Sequence, residues 1–270
     1  MRGLLYKSLH EVWSTTLLCG LGLLGIKALL TYILPQVVEG MSELFDQMPF
    51  VKQLVTALLG TEVGDQITMR TMQSFLWVHP VVLALIWGHE ITICTRVPAG
   101  EIDRGTVDIL FSWPVSRRKI YWTETLVWLV TGVFVISMGL AGHRLAAPAM
   151  PEDMRPDMRC VAMIMANLFG VYLAVGGIAL LVSSLSNRRG RAVAVVFAVV
   201  LASFLLNFVA QFWEPAKPFA VLSVMNYYQP ANIMESGAFP TGDIGVLVGV
   251  AAVSWVVGGE IMARRSISTL

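Results

Sequence analysis

Several residues have the types and spacing to do chemistry, but they sit in long apolar runs. His89 and Glu90 open the H-E-x-x-H pattern of a zinc protease. Ile93 stands where the second histidine is required, so that chemistry is excluded. Gly20-x-Gly22-x-x-Gly25 matches the dinucleotide fingerprint in letters only, with no strand before it and no acidic residue at the right distance after it. Such glycines, like Gly245 and Gly249, more simply let helices approach closely. The chain has no G-x-x-x-x-G-K-[ST] segment, so it cannot hydrolyse ATP by the P-loop route. Cys19, Cys94 and Cys160 lie far apart and form no C-x-x-C or disulfide framework. Met150, Met154, Met158, Cys160, Met163 and Met165, with His143 before them, offer soft ligands of the kind Cu(I) takes. Pro151 and Pro156 keep the first three methionines off one continuous helix, and adaptable apolar packing is the simpler use. No nucleophile–base pair and no convergent carboxylates are legible in the runs. We therefore expect no catalytic residues, no metal set and no cofactor on this chain.

Polar groups at membrane depth remain. At about 1.5 Å per residue, Lys27, His79, Asn167 and Asn207 all fall in the outer halves of their runs. They are candidates for one polar layer around a central pathway, because ionisable groups there are costly and usually functional. The alternatives are a Lys27 that reaches outward to the headgroups and helix–helix hydrogen bonds for the other three. Glu90, near an inner end, is expected to pair with Arg96 or Arg188, or to be solvated at the interface.

The elements that position these groups follow from composition. Of 270 residues, 56% are hydrophobic and only 14% charged; a soluble domain carries about 25% charged residues. Apolar runs of about 20 residues without alternation fit a roughly 30 Å hydrocarbon core as helices, not as barrel strands. We predict an all-α integral membrane protein forming one transmembrane domain over residues 1–270. Its six spans lie at about 16–34, 71–94, 121–142, 160–185, 192–212 and 243–263. Residues 2–13 read as an amphipathic interfacial helix, with Leu5, Leu9, Val12 and Trp13 on one face. The first span, too long for a signal-peptide core, is expected to be retained. A second amphipathic helix is expected around Phe50 to Leu59, and short helices dipping into the interface between Trp213 and Gly242. With both termini cytoplasmic, 12 of the 19 Lys and Arg residues lie inside and six outside, which favours that orientation. A net charge of +1 suggests no nucleic-acid partner.

The most specific segment joins the second and third spans: Glu101-Ile-Asp-Arg-Gly105-Thr106-Val-Asp-Ile-Leu110-Phe-Ser-Trp113-Pro114-Val115-Ser116-Arg117. Ile102, Ile109, Leu110 and Trp113 can share one face of a short helix that Pro114 ends. Ser116 can cap the next helix. An exposed apolar face on a soluble loop implies a partner; the alternative is that this face lies on the membrane or under the protein's own spans. The segment resembles the corresponding loop of ABC-2-type permeases, approximately E-x-x-x-G-T-x-x-x-L-L-x-x-P-V-S-R. Glu101, Gly105, Thr106, Leu110, Pro114, Val115, Ser116 and Arg117 match; Phe111 replaces the second leucine. The likeness covers about 20 residues in motif and the whole chain in organisation.

The resemblance implies the permease subunit of an ATP-binding-cassette exporter in the cell inner membrane. Such chains pair as homodimers or heterodimers among membrane lipids and bind a separate ATPase subunit, which holds the ATP and Mg. Glu101, Ile102, Gly105, Thr106, Leu110, Trp113 and Pro114 would then form the coupling helix that docks on it. A non-transporting scaffold or sensor coupled to an ATPase and, less simply, a membrane-embedded enzyme stay open. The substrate is not legible.

Overall fold

A computed structural model describes residues 2–48, 50, 55, 69–112, 114–155 and 157–265. These residues contain no strand. The long helices are α1 (Arg2–Gln47), α2 (Met69–Val78), α3 (Pro80–Cys94), α6 (Arg117–Ala146), α7 (Met158–Leu185), α8 (Arg189–Phe212) and α10 (Thr241–Arg264). Two short helices, α4 (Glu101–Asp103) and α5 (Val107–Ser112), lie in the loop before α6, and α9 (Pro230–Ser236) precedes α10. Six segments are long and apolar enough to cross a membrane, the second of them being α2 and α3 together. The helix expected around Phe50 to Leu59 lies outside the described residues except at Phe50 and Val55. The segment after α8 forms the expected short helices, 3-10 turns at Glu214–Leu222 and Val224–Tyr227, followed by α9.

Residues 2–13 are helical as expected, but nothing separates them from the first span, and α1 runs unbroken. The buried face is Leu4, Ser8 and Val12, whereas Trp13 is exposed. That stripe at i, i+4 and i+8 is rotated from the expected one because it faces the bundle.

Burial ranks the spans. In α7, 67% of the apolar window is inside the bundle, against 17% in α8 and in α10, so α7 is central and the other two are peripheral. The outward faces are apolar, for example Leu18, Leu21 and Leu29 on α1 and Phe197, Leu201 and Leu205 on α8. Lipid is as apolar as these side chains, so helix association must come from close packing and internal hydrogen bonds. Glycines supply the close packing. Along α1 and α6, a Cβ at Gly142 would lie 2.1 Å from the Leu24 carbonyl oxygen, and one at Gly139 would lie 2.9 Å from Leu23. Along α7 and α10, Gly177 meets the Ala251 backbone and Gly258 that of Leu181. The expectation for Gly245 and Gly249 is corrected: both face open space within this chain. Gly20 does make a close contact, with Phe134.

Gly142→Ala must therefore push α1 off α6, at a cost of about 1–3 kcal/mol for overpacking. We expect a clear drop in the thermal midpoint of the detergent-solubilised chain, and none for Gly245→Ala. Equal drops in both variants would show that the approach of Gly142 to Leu24 does not set the effect, since alanine is the better helix former at both positions.

Candidate functional site

The loop between α3 and α6 is built by its own motif. After α3 the chain makes one π-type turn, with the Gly100 N–H donating to the Thr95 carbonyl at 3.2 Å. The helix resumes through α4 and stops at Gly105, whose φ of +70° is the left-handed region that favours glycine. The Thr106 N–H donates to the Glu101 carbonyl and the Gly105 N–H to the Ile102 carbonyl, both at 3.0 Å. That pair of bonds is the Schellman helix stop. The Thr106 hydroxyl donates to the Glu101 carboxylate, which Arg104 also meets at 2.7 Å. Burial works against ionisation of Glu101, but the Thr106 hydroxyl and the Arg104 charge outweigh it and hold its carboxyl below the usual range. Glu101, Gly105 and Thr106 thus shape the loop; Glu101 is buried and unavailable to a partner.

The single apolar face expected over this loop is corrected. Val107 and Leu110 turn inward and are buried, Ile102 is half-buried, and Ile109 is 64% exposed. The Gly105 turn divides α4 from α5, so Ile102 and Ile109 do not continue one helical stripe. Trp113 lies outside the described residues, and Pro114 is exposed. Phe111, the departure from the family pattern, lies under the Arg117 guanidinium at 4.6 Å. Ser116 caps α6 as expected, accepting from the Lys119 N–H at 3.4 Å.

Four anchors tie this loop to the bundle. Arg96, buried, bridges the carboxylates of Glu11 on α1 and Glu124 on α6. Glu124 also accepts from the Ser8 hydroxyl at 2.7 Å. The Ala99 N–H donates to the Ser183 hydroxyl on α7 at 3.3 Å. Arg189 at the start of α8 donates to the Thr92 carbonyl at 3.1 Å, and its own N–H meets Asp103 at 3.3 Å. The expected pairing of Arg96 or Arg188 with Glu90 is not made. Glu90 is buried against Trp128 and Gly176 but outside hydrogen-bond geometry. Near the end of the chain, Arg117 donates to the Arg265 carbonyl, and Arg265 to the Ser184 carbonyl at 2.8 Å. Both ends of the described chain therefore lie on this basic face. Sequence reasoning missed Glu124, although it is the sole charged residue of its apolar run and so carried a signal.

The four candidate pathway residues gather around a break in the second span. Pro80 has no N–H, so the Leu76 carbonyl loses its helical donor. Lys27 supplies one at 2.9 Å, with its ammonium 3.3 Å from the centroid of the Trp77 ring. The Trp77 carbonyl receives the Tyr228 hydroxyl at 3.0 Å. His79 caps α3, its Nδ1 accepting from the Val81 N–H at 3.3 Å. Asn167 donates to the Tyr227 carbonyl at 2.9 Å and accepts from the Gln229 N–H at 3.4 Å, which fixes the segment carrying Tyr228. Asn207 lines a cavity of about 20 Å³ beside Val78 and Tyr228. Lys27 is fully enclosed and does not reach outward. Trp77, Tyr228 and His143, which shares a 2.9 Å hydrogen bond with Thr31, complete this cluster. Pro80 inside an apolar run was the signal for an orphaned carbonyl; nothing in the sequence named its donors.

The methionine-rich segment packs. Met150, Met154 and Met163 are buried in one cluster with Leu34, Leu76 and Trp77. The described residues hold no group of three or more His, Cys, Asp or Glu side chains that could bind a metal ion.

A family model described as the C-terminal domain of the multidrug efflux system permease Rv1217c matches residues 17–261. The uncharacterized membrane protein YdbK of Bacillus subtilis (strain 168) is 25% identical over 204 residues, covering 72% of this chain and 82% of that protein. No solved structure matches. The family match takes in the loop 96–116, the Pro80 break and most of the length of all six spans, and the chain belongs to this efflux-permease family.

Proposed function

We propose that the chain is the membrane subunit of an exporter driven by a separate ATP-hydrolysing protein. The basic face would be cytoplasmic, and the loop 96–116 would be the docking knob. One observation carries this reading: an exposed Ile109 on a loop that is otherwise clamped to four helices. A loop so fixed has no structural use for an apolar tip, whereas a partner would cover it. The membership of an efflux-permease family and the lack of a P-loop support the same division of labour. The chain would work paired with a second permease, alike or different. The cargo would be apolar. Support comes from a cavity of about 370 Å³ among α7, α8 and α10, walled by Ile178, Leu206, Val224 and Leu247 and edged by Ser203 and Tyr227. Uptake of an apolar dye into everted vesicles should need this chain, its ATPase and ATP together; uptake without the ATPase would sink the reading.

Three outcomes follow. Interface anchors of this size often contribute about 2 kcal/mol, so Ile109→Asp should release the ATPase on co-purification while the thermal midpoint holds. An ATPase that stays bound would remove the docking role from this loop.

Lys27→Leu should leave the Leu76 carbonyl without a donor, at a cost of about 1–3 kcal/mol. We expect lower stability and lower efflux together. Lost efflux at unchanged stability would instead place Lys27 in contact with cargo.

The Glu101 carboxyl is held below its ordinary value of about 4.3. Its contribution to the loop is complete above that value and is lost as pH falls through the lowered one. Protection against hydrogen exchange at residues 101–112, taken relative to the intrinsic exchange rate at each pH, should fall on acidification in the wild type. In Glu101→Gln it should be low already at neutral pH and indifferent to acid. Parallel pH profiles in both proteins would refute this account of the loop.

A further inference from the structure

A cavity of about 630 Å³ opens on the basic face between the first turns of α1, the end of α3, the loop and the start of α8. Four cationic side chains line it, Lys7, Arg96, Arg104 and Arg189, with two carboxylates, Glu11 and Glu101. The carboxylates are committed. Glu11 meets Lys7 at 3.2 Å and also bridges Arg96, which Glu124 holds from behind. Glu101 is taken by Arg104 and Thr106. Arg189 is different. It is half-buried, its guanidinium donates to the Thr92 carbonyl, and it makes no carboxylate ion pair among the described residues. Asp103 engages its main-chain N–H instead. A guanidinium presents five donors in a planar fork suited to phosphate, and a single carbonyl leaves most of them unused.

Lys7 and Arg104 lie at the rim with side chains 39% and 50% exposed, so both can turn toward an anion without unfolding anything. Val12, Ile93 and Leu110 form an apolar part of the wall. The cavity is thus amphipathic, lies at the end of the spans, and is large enough for a small ligand. Basic pockets between transmembrane helices at this level take anionic headgroups.

We propose that this cavity binds a phosphate group, with Arg189 as its principal ligand and Lys7 and Arg104 closing on it, and that an anionic phospholipid headgroup supplies that phosphate. Because Leu110 and Ile109 also line the cavity, an occupant would brace the loop against α1 and α8. The site does not depend on the export reading, since the chain alone contains it.

The test uses the purified full chain in nanodiscs of phosphatidylglycerol or phosphatidylcholine, with retained lipid read by native mass spectrometry. The wild type should retain phosphatidylglycerol in preference, and each cation lost should reduce that preference about fivefold. Arg189→Gln should lower it, as should the rim pair Lys7→Gln with Arg104→Gln, which keeps the test open if the first variant folds poorly. Arg264→Gln, outside the cavity, should not. Inorganic phosphate that displaces the lipid and raises the midpoint of the lipid-free chain would confirm a phosphate site but assign it to the free anion. Absence of preference in the wild type, or equal preference in all variants, would overturn the proposal. So would cross-linking of position 189 to a partner protein with neither probe bound, because the cavity would then be a protein socket.

Discussion

Arg96 is the charge on which the basic face depends. A guanidinium this enclosed persists only when it is paired, and removing Arg96 would leave the buried Glu124 carboxylate uncompensated, at a cost of about 3–5 kcal/mol. Glu11 and Glu124 hold it from two different helices, so one residue joins α1, α6 and the end of α3. Ser8 adds a hydroxyl to Glu124 and so commits the first turns of α1 to the bundle. This explains why α1 shows no interfacial break near residue 13. A segment lying flat on the membrane would pull Glu11 and Ser8 away from Arg96 and Glu124. The amphipathic pattern in residues 2–13 is real, but its buried stripe answers to this ion network rather than to lipid.

The same rule operates at the opposite end with backbone carbonyls. Lipid offers no hydrogen bonds, so every backbone carbonyl released by a proline must find a donor inside the protein. Pro80 releases the Leu76 carbonyl, and the break around His79 leaves the Trp77 carbonyl free. Lys27 and Tyr228 arrive from α1 and from the segment before α9 to satisfy them. A break in one span thereby fixes two elements distant in sequence. Asn167 then holds the residues on either side of Tyr228.

How much of this was legible depends on how local each signal is. Composition and run length carry the six spans, because both are properties of contiguous sequence. The Schellman stop at Gly105 and the cap at Ser116 are equally local, and the residues that shape the loop could be named in advance. What they do could not. Glu101 and Thr106 look like surface chemistry in a motif, yet the fold turns them toward each other. Ile109 and Leu110 are neighbours of similar character, and only the packing of α5 decides that one is buried and the other presented. The glycine seams show the same limit. Gly245 and Gly249 have the familiar spacing but meet nothing in this chain, while Gly142 and Gly177, without it, touch backbone. Spacing places two glycines on one helical face; it does not say which helix that face meets.

The loop's anchors decide where a load applied to it would go. Its tip cannot flex independently, because the Schellman bonds, the Glu101 carboxylate and the buried Val107 and Leu110 fix its internal shape. Its attachments reach α1 and α6 through Arg96, α7 through Ser183 and α8 through Arg189, and it continues directly from α3. A push on Ile109 would therefore arrive at the ends of five helices at once. Within the bundle, α6 resists relative sliding, since the Tyr172 ring and the Trp128–Gly176 contact lock it to α7 while Gly139 and Gly142 lock it to α1. Tyr121 and Trp255 add hydrogen bonds of 2.8 Å between α6 and α10. By contrast, α8 is mostly exposed and tied at its basic end through Arg189 and farther along through the Ser203–Ser223 pair. The least resistance lies between α8 and the rest. That boundary is where the 370 Å³ apolar cavity sits, so movement of the loop and a change in cavity shape share one mechanical route.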